Sequence, residues 1–117
     1  MKLTGQCKVD FETWLLVWIK KNIAWETETP DQHDIDHFYK FPLAMQFGVI
    51  QEFADSVGYV FEIQVHTEPT MQGGIFKAFK AVILHNGRFM NTLFKTAIRT
   101  RAMESAIEKF NQIYNKE

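Results

Sequence analysis

The fold turns on one stretch, Ile75-Phe76-Lys77-Ala78-Phe79-Lys80-Ala81-Val82-Ile83-Leu84-His85-Asn86-Gly87-Arg88-Phe89-Met90-Asn91-Thr92-Leu93-Phe94-Lys95-Thr96-Ala97. Two runs rich in β-branched and aromatic residues, 75–84 and 89–97, flank His85-Asn86-Gly87-Arg88. Asn-Gly between such runs predicts a two-residue hairpin turn, because both central positions need φ > 0. That turn also sets a register: His85 opposite Arg88, Leu84 opposite Phe89, Ile83 opposite Met90, Val82 opposite Asn91 and Phe79 opposite Phe94. One face then carries Ile75, Phe79, Ala81, Ile83, Met90 and Phe94. The other carries Phe76, Val82, Leu84, Phe89 and Leu93, with Lys80, Asn91 and Lys95. Both faces are apolar, so both are expected to be covered.

Outward from the hairpin, residues 59–66 alternate. Tyr59, Phe61, Ile63 and Val65 face one way, while Glu62, Gln64 and His66 face the other, which predicts another strand. Residues 67–74, with Pro69 and Gly73-Gly74, read as a flexible connection. Residues 42–57 read as a helix with Pro42 in its first turn, a stripe of Leu43, Phe47, Ile50, Ala54 and Val57, and Gly58 as its stop. Gly48 inside that helix costs roughly 1 kcal/mol relative to Ala, which predicts close packing there. Residues 100–114 read as a last helix, capped by Thr100, with a stripe of Met103, Ala106, Ile107, Phe110, Ile113 and Tyr114.

Ahead of this core, residues 8–25 read as a helix. Cys7, Phe11, Trp14, Leu15, Trp18 and Ile19 follow helical spacing, and Lys20-Lys21 suit the negative end of its dipole. An acidic loop (26–34) and a short turn of helix (35–41) complete the chain. The expected fold is α+β, one domain with an N-terminal helix and acidic loop (1–41) before an α-β-β-β-α core (42–117). In it a three-stranded antiparallel sheet carries helices 42–57 and 100–114 on one face. The first helix is expected to cover the other face, within one chain or exchanged between two.

With 117 residues, 46% hydrophobic and eleven of them Phe, a packed core is expected. The net charge of −1 argues against a globally basic nucleic-acid binder. The charges are segregated, however. Between Asn22 and Phe76 the only base is Lys40, against Glu26, Glu28, Asp31, Asp34, Asp36, Glu52, Asp55, Glu62 and Glu68. Between Glu68 and Glu104 there is no acid, while Lys77, Lys80, Arg88, Lys95, Arg99 and Arg101 fall there. Such blocks either cancel in space or present one acidic and one basic surface. The single cysteine, Cys7, excludes an intrachain disulfide and fits a reducing compartment. Leu3-Thr4-Gly5-Gln6-Cys7 resembles a lipoprotein cleavage site, but with no apolar segment before it a cytoplasmic protein without membrane contact is expected.

Motifs for catalysis are sparse. The sequence shows no nucleophile elbow, phosphate loop or dinucleotide fingerprint, and Gly73-Gly74 precedes a strand rather than a helix. Cys7 sits on an apolar face and reads as packed rather than reactive. His33 and His37 are the candidate metal ligands, with Asp31, Asp34 and Asp36 beside them, but a solvated loop leading into a helix cap is the better reading. No cofactor is expected. The basic block is the better candidate for function. Lys95, Arg99 and Arg101 gather at the start of the last helix, and Phe76 and Phe89, with Lys80 near, would offer a stacking platform to single-stranded nucleic acid. The competing expectation is that these aromatics are buried.

The helix–β–β–β–helix order, with Arg99-Thr100-Arg101-Ala102 and Ala106 opening the second helix, resembles the double-stranded RNA-binding domain over about two-thirds of the chain. Where that family has a lysine run, this chain has Arg99 and Arg101, and Glu104 follows. The resemblance implies a nucleic-acid-binding surface through Lys80, Lys95, Arg99 and Arg101. Separately, residues 3–14, 53–58 and 106–115 are similar to small uncharacterised proteins of prophages and mobile elements in gut bacteria. Two expectations follow: a non-enzymatic module that binds nucleic acid, or a protein–protein module or homodimeric accessory protein of such an element.

Overall fold

The computed structural model describes residues 3–23, 29–92 and 96–116 and, of residues 89–92, the backbone only. Its elements run α1 (Gly5–Asn22), α2 (Gln32–Phe38), α3 (Leu43–Ser56), β1 (Tyr59–Pro69), β2 (Ile75–His85), β3 (Arg88–Thr92) and α4 (Arg99–Lys116). The chain is α+β.

The hairpin forms at Asn86-Gly87, with φ of +52° and +77°. His85 pairs with Arg88 and Leu84 with Phe89, as the turn dictates. The register then shifts: Ile83 pairs with Asn91 and Val82 with Thr92, leaving Met90 as the extra residue of a bulge. Phe79 bridges to Thr96 rather than to Phe94. Phe94 itself, with Leu93 and Lys95, lies outside the described residues, as do the side chains of Phe89 and Met90. The expected sheet is therefore corrected. Its regular part is a two-stranded antiparallel ribbon, β1 against β2, paired from Tyr59–His85 to Pro69–Ile75. β3 adds to the β2 side only at Arg88–Thr92.

Local chemistry sets the ends of the ribbon. Thr70 closes its far turn, its N–H donating to the Gly74 carbonyl at 2.8 Å while its hydroxyl accepts the Gly74 N–H at 2.9 Å. That turn lets β1 continue to Pro69, through residues the sequence reading assigned to a loop. At the near end Gly58, with φ +86°, ends α3 and accepts the Asn86 N–H at 2.9 Å.

The inner sheet face, with Tyr59, Phe61, Ala81 and Ile83 buried, packs on α3 and α4. A ladder of rings carries this core away from the sheet. Phe61 lies 5.4 Å from Phe110, Phe110 lies 6.1 Å from Phe53, Phe53 lies 5.5 Å from Phe11 and Phe11 lies 5.6 Å from Phe38. α1 thus packs on α2, α3 and α4, not across the outer sheet face as expected. Its stripe of Cys7, Phe11, Leu15 and Ile19 finds the backs of α3 and α4, which carry Phe53 and Tyr114 there. On the outer face Val82 is buried and Leu84 half-buried, although α1 does not pack there.

Helix boundaries shift for identifiable reasons. α1 starts three residues before the expected Lys8, and its expected end, Trp25, lies outside the described residues. α2 begins at Gln32 because Asp31 and Asp34 form a capping box. Thr100 is inside α4 rather than its cap. Gly48 is exposed, with open space where a Cβ would sit, so it marks no close packing. Among the described residues no helix is long and apolar enough to cross a membrane.

Candidate interaction surface: the projecting ribbon

A compact chain of this length has a radius of gyration of about 13 Å. This one has 16.3 Å, with a longest extent of 59 Å. The excess lies in the outer half of the β1–β2 ribbon. Arg99, in the first turn of α4, lies over the Phe79 ring at 4.6 Å. Beyond Phe79 the apolar side chains lie open, with Val65 49% exposed, Phe76 46% and Ile75 75%.

Among the described residues the backbone of β1 has one free edge, and its pattern follows from a single bond. Because the Asn86 N–H reaches the Gly58 carbonyl, the Tyr59–His85 pair is of the non-hydrogen-bonded kind. Even-numbered residues of β1 therefore turn their N–H and C=O toward β2, and odd-numbered ones turn them outward. Two observations agree with this parity. Gln51 Nε2 donates to the Phe61 carbonyl at 2.8 Å from outside the ribbon. On the opposite edge Phe79 exchanges hydrogen bonds with Thr96 at 2.7 and 2.9 Å. Pro69, also odd, points its nitrogen outward and costs the ladder nothing. The outward groups of Ile63, Val65 and Thr67 thus lie between Gln51 on one side and Pro69 on the other. Within this span the edge has neither a lysine nor a bulge, the usual protections against pairing.

The structure separates the basic residues that the sequence grouped. Lys80 is half-buried on the outer face opposite Gln64. Phe76, opposite Glu68, shares that face with Lys80. Arg99 covers Phe79, which points to the inner face, so Lys80 and Arg99 sit on opposite sides of β2. Arg101 is exposed in the first turn of α4. Lys95 and the Phe89 side chain lie outside the described residues. On the outer face Lys80 lies opposite Gln64 and diagonal to Glu62, and Glu68 lies opposite Phe76. Lys77, opposite Thr67, is on the inner face, so the ribbon carries two acids and two bases rather than a basic stripe. His66, opposite Ala78, has a buried Nε2 with no hydrogen-bond partner. His33 and His37 are exposed on α2, where Asp31 and Asp34 are engaged in the capping box. Among the described residues no three His, Cys, Asp or Glu side chains gather as metal ligands would.

A second feature escaped sequence reasoning, because its parts are far apart in the chain. Gln6, Asp10, Tyr59, His85, Tyr114 and Asn115 line a cleft of about 520 Å³. Asp10 accepts from Tyr114 Oη and from Gln6 Nε2, each at 2.6 Å, and His85 stacks on Tyr59 at 3.9 Å. Desolvation, with the Asp10 hydrogen bond and charge, pushes the Tyr114 hydroxyl up to about 12. Desolvation first, then Asp10, pushes the Cys7 thiol to about 12 as well. Both stay protonated at neutral pH, Tyr114 as a donor and Cys7 as packing. The carboxylate in this cleft is thus spent on holding α1 to α4.

No protein-family model matches this chain, and no curated protein or solved structure matches it.

Proposed function

We propose that this chain is a protein-binding module whose contact element is the projecting β1–β2 ribbon. The observation that carries the reading is a charge-balanced arm standing off a compact body with Val65, Ile75 and Phe76 open to solvent. Exposed apolar side chains grouped on one element are a common mark of an interaction surface. A photo-crosslinking phenylalanine analogue at Phe76 should trap protein in living cells, while the same analogue at Gln112, exposed on α4, should not. Equal trapping at both positions would remove the ribbon from consideration.

Nucleic-acid binding is the second reading. Phe76 and Lys80 on one sheet face support it, as does the α3-β1-β2-β3-α4 order that resembles a double-stranded RNA-binding domain. Against it stand Glu62 and Glu68 on the same face as Phe76 and Lys80 and the opposite placement of Lys80 and Arg99. Titration with duplex and single-stranded RNA and DNA at about 50 mM salt decides between them, since phosphate-driven affinity is strong there and falls steeply as salt rises. Binding with a steep salt slope that is lost in Lys80→Glu would favour this second reading.

A further inference from the structure

Resting on the ribbon as the contact element, we infer that its partner is a second copy of this chain, paired antiparallel through the free edge of β1. The outward N–H and C=O groups of Ile63, Val65 and Thr67 form a template that an identical strand completes about a twofold axis. With Gln64 on the axis, Ile63 and the partner's Val65 exchange two main-chain hydrogen bonds, and symmetry repeats them.

Charge selects this register among those the edge permits. With Gln64 on the axis, Glu62 lies opposite the partner's His66, whose Nε2 is buried without a hydrogen-bond partner among the described residues of one chain and meets that carboxylate once the ring turns outward. Moving the axis to Val65 sets Glu62 against the partner's Glu68, two like charges facing each other. Moving it to Ile63 leaves only the Ile63–Ile63 pair clear, because Phe61, whose carbonyl already accepts from Gln51, then faces the partner's Val65. The Gln64 axis loses only the Phe61–Thr67 pairs and keeps both Ile63–Val65 pairs. The favoured pairing also joins Ile63 to Val65 across the inner face, covering a Val65 that is 49% exposed in one chain. The two ribbons then become one continuous sheet between two helical bodies.

The register gives a specific test. Across a non-hydrogen-bonded antiparallel pair, facing side chains are close enough for a disulfide. Gln64→Cys therefore should oxidise to a covalent dimer. Glu62→Cys should stay monomeric, because its mate is position 66 and the two copies of position 62 are about 13 Å apart. Native Cys7 is fully buried and does not compete. Val65→Pro removes only an outward N–H, so sedimentation equilibrium should show dimerisation weakened roughly tenfold or more with circular dichroism unchanged. Crosslinking at both positions, at neither, or at position 62 alone overturns the pairing. A wild-type chain that stays monomeric while its Phe76 analogue traps a foreign protein overturns the second copy and leaves the protein-binding ribbon standing.

Discussion

Gly48 and Gly58 show how much a single Cβ depends on where it is placed. Gly48 sits on the open side of α3 with nothing within 4 Å of an added Cβ. Gly48→Ala should raise the unfolding free energy by about 0.5–1 kcal/mol, read from a denaturant titration, through lower entropy of the unfolded chain and better helix propensity. At Gly58 the backbone has φ +86° and a Cβ would meet Asn86 Oδ1 at 2.7 Å, so Gly58→Ala should destabilise by more than about 1 kcal/mol. The sequence shows both glycines but not which of them is crowded, and Gly48 is read wrongly for that reason. Titration gives a second prediction at this scale. Cys7 and Tyr114 are held protonated by the fold, with folded-state values of about 12 above ordinary values of 9.0 and 10.0. Their stabilisation is complete below about pH 9 and is lost as pH rises toward 12. Thermal unfolding measured from pH 8 to 12 (roughly the span of these values) should fall across that window, and less steeply in Tyr114→Phe. A thiol reagent at neutral pH should leave Cys7 unmodified until denaturant is added.

At the scale of elements, what was legible in the sequence is what is local. The Asn86-Gly87 turn carries its own backbone requirement, and the stripes of α1, α3 and α4 carry their own spacing. The bulge at Met90 was not legible, because it depends on how the chain returns to bridge Phe79 with Thr96. Nor was the start of α1. Thr4 makes no side-chain cap bond to its own helix; the Cys7 N–H is met by Asn115 Oδ1 at 2.8 Å and the Thr4 N–H by Asn111 Oδ1 at 2.9 Å. Helix α1 is thus capped from α4, and no motif near Thr4 announces it. Asn115→Ala should cost about 1–2 kcal/mol, as loss of a cap does, with faster hydrogen exchange confined to the first turn of α1. The candidate site was half legible. Tyr59–His66 alternates as a strand should, but Pro69 looked like its end when it only turns its missing N–H outward.

For the whole molecule, ribbon and body are separable. The aromatic ladder from Phe38 to Phe61 lies wholly in the body, and nothing beyond Phe79 contributes to it. Replacing residues 67–77 by Asn-Gly would join His66 to Ala78, a hydrogen-bonded pair of the kind that flanks the existing two-residue turn. The shortened chain should keep its unfolding free energy within about 1 kcal/mol, while its radius of gyration by small-angle scattering falls toward about 13 Å. The charge blocks seen in the sequence are resolved in the same way. Across β1 and β2 the two acids Glu62 and Glu68 share one ribbon with Lys77 and Lys80, Lys80 diagonal to Glu62 on the outer face, so separation along the chain becomes neutrality over the ribbon as a whole.

The asparagine caps on α1 also order events in time. Thr4 and Asn111 are 107 positions apart, so the first turn of α1 lacks its acceptors until Asn111 has been made. At about 5–20 residues per second, translation leaves that helix unfinished for roughly 5–20 s. Asp10 likewise has no Tyr114 to meet in that interval. The seam between α1 and α4 closes late, and a nascent chain stalled before Asn111 should present the open face of α1 to whatever chaperone waits at the ribosome exit.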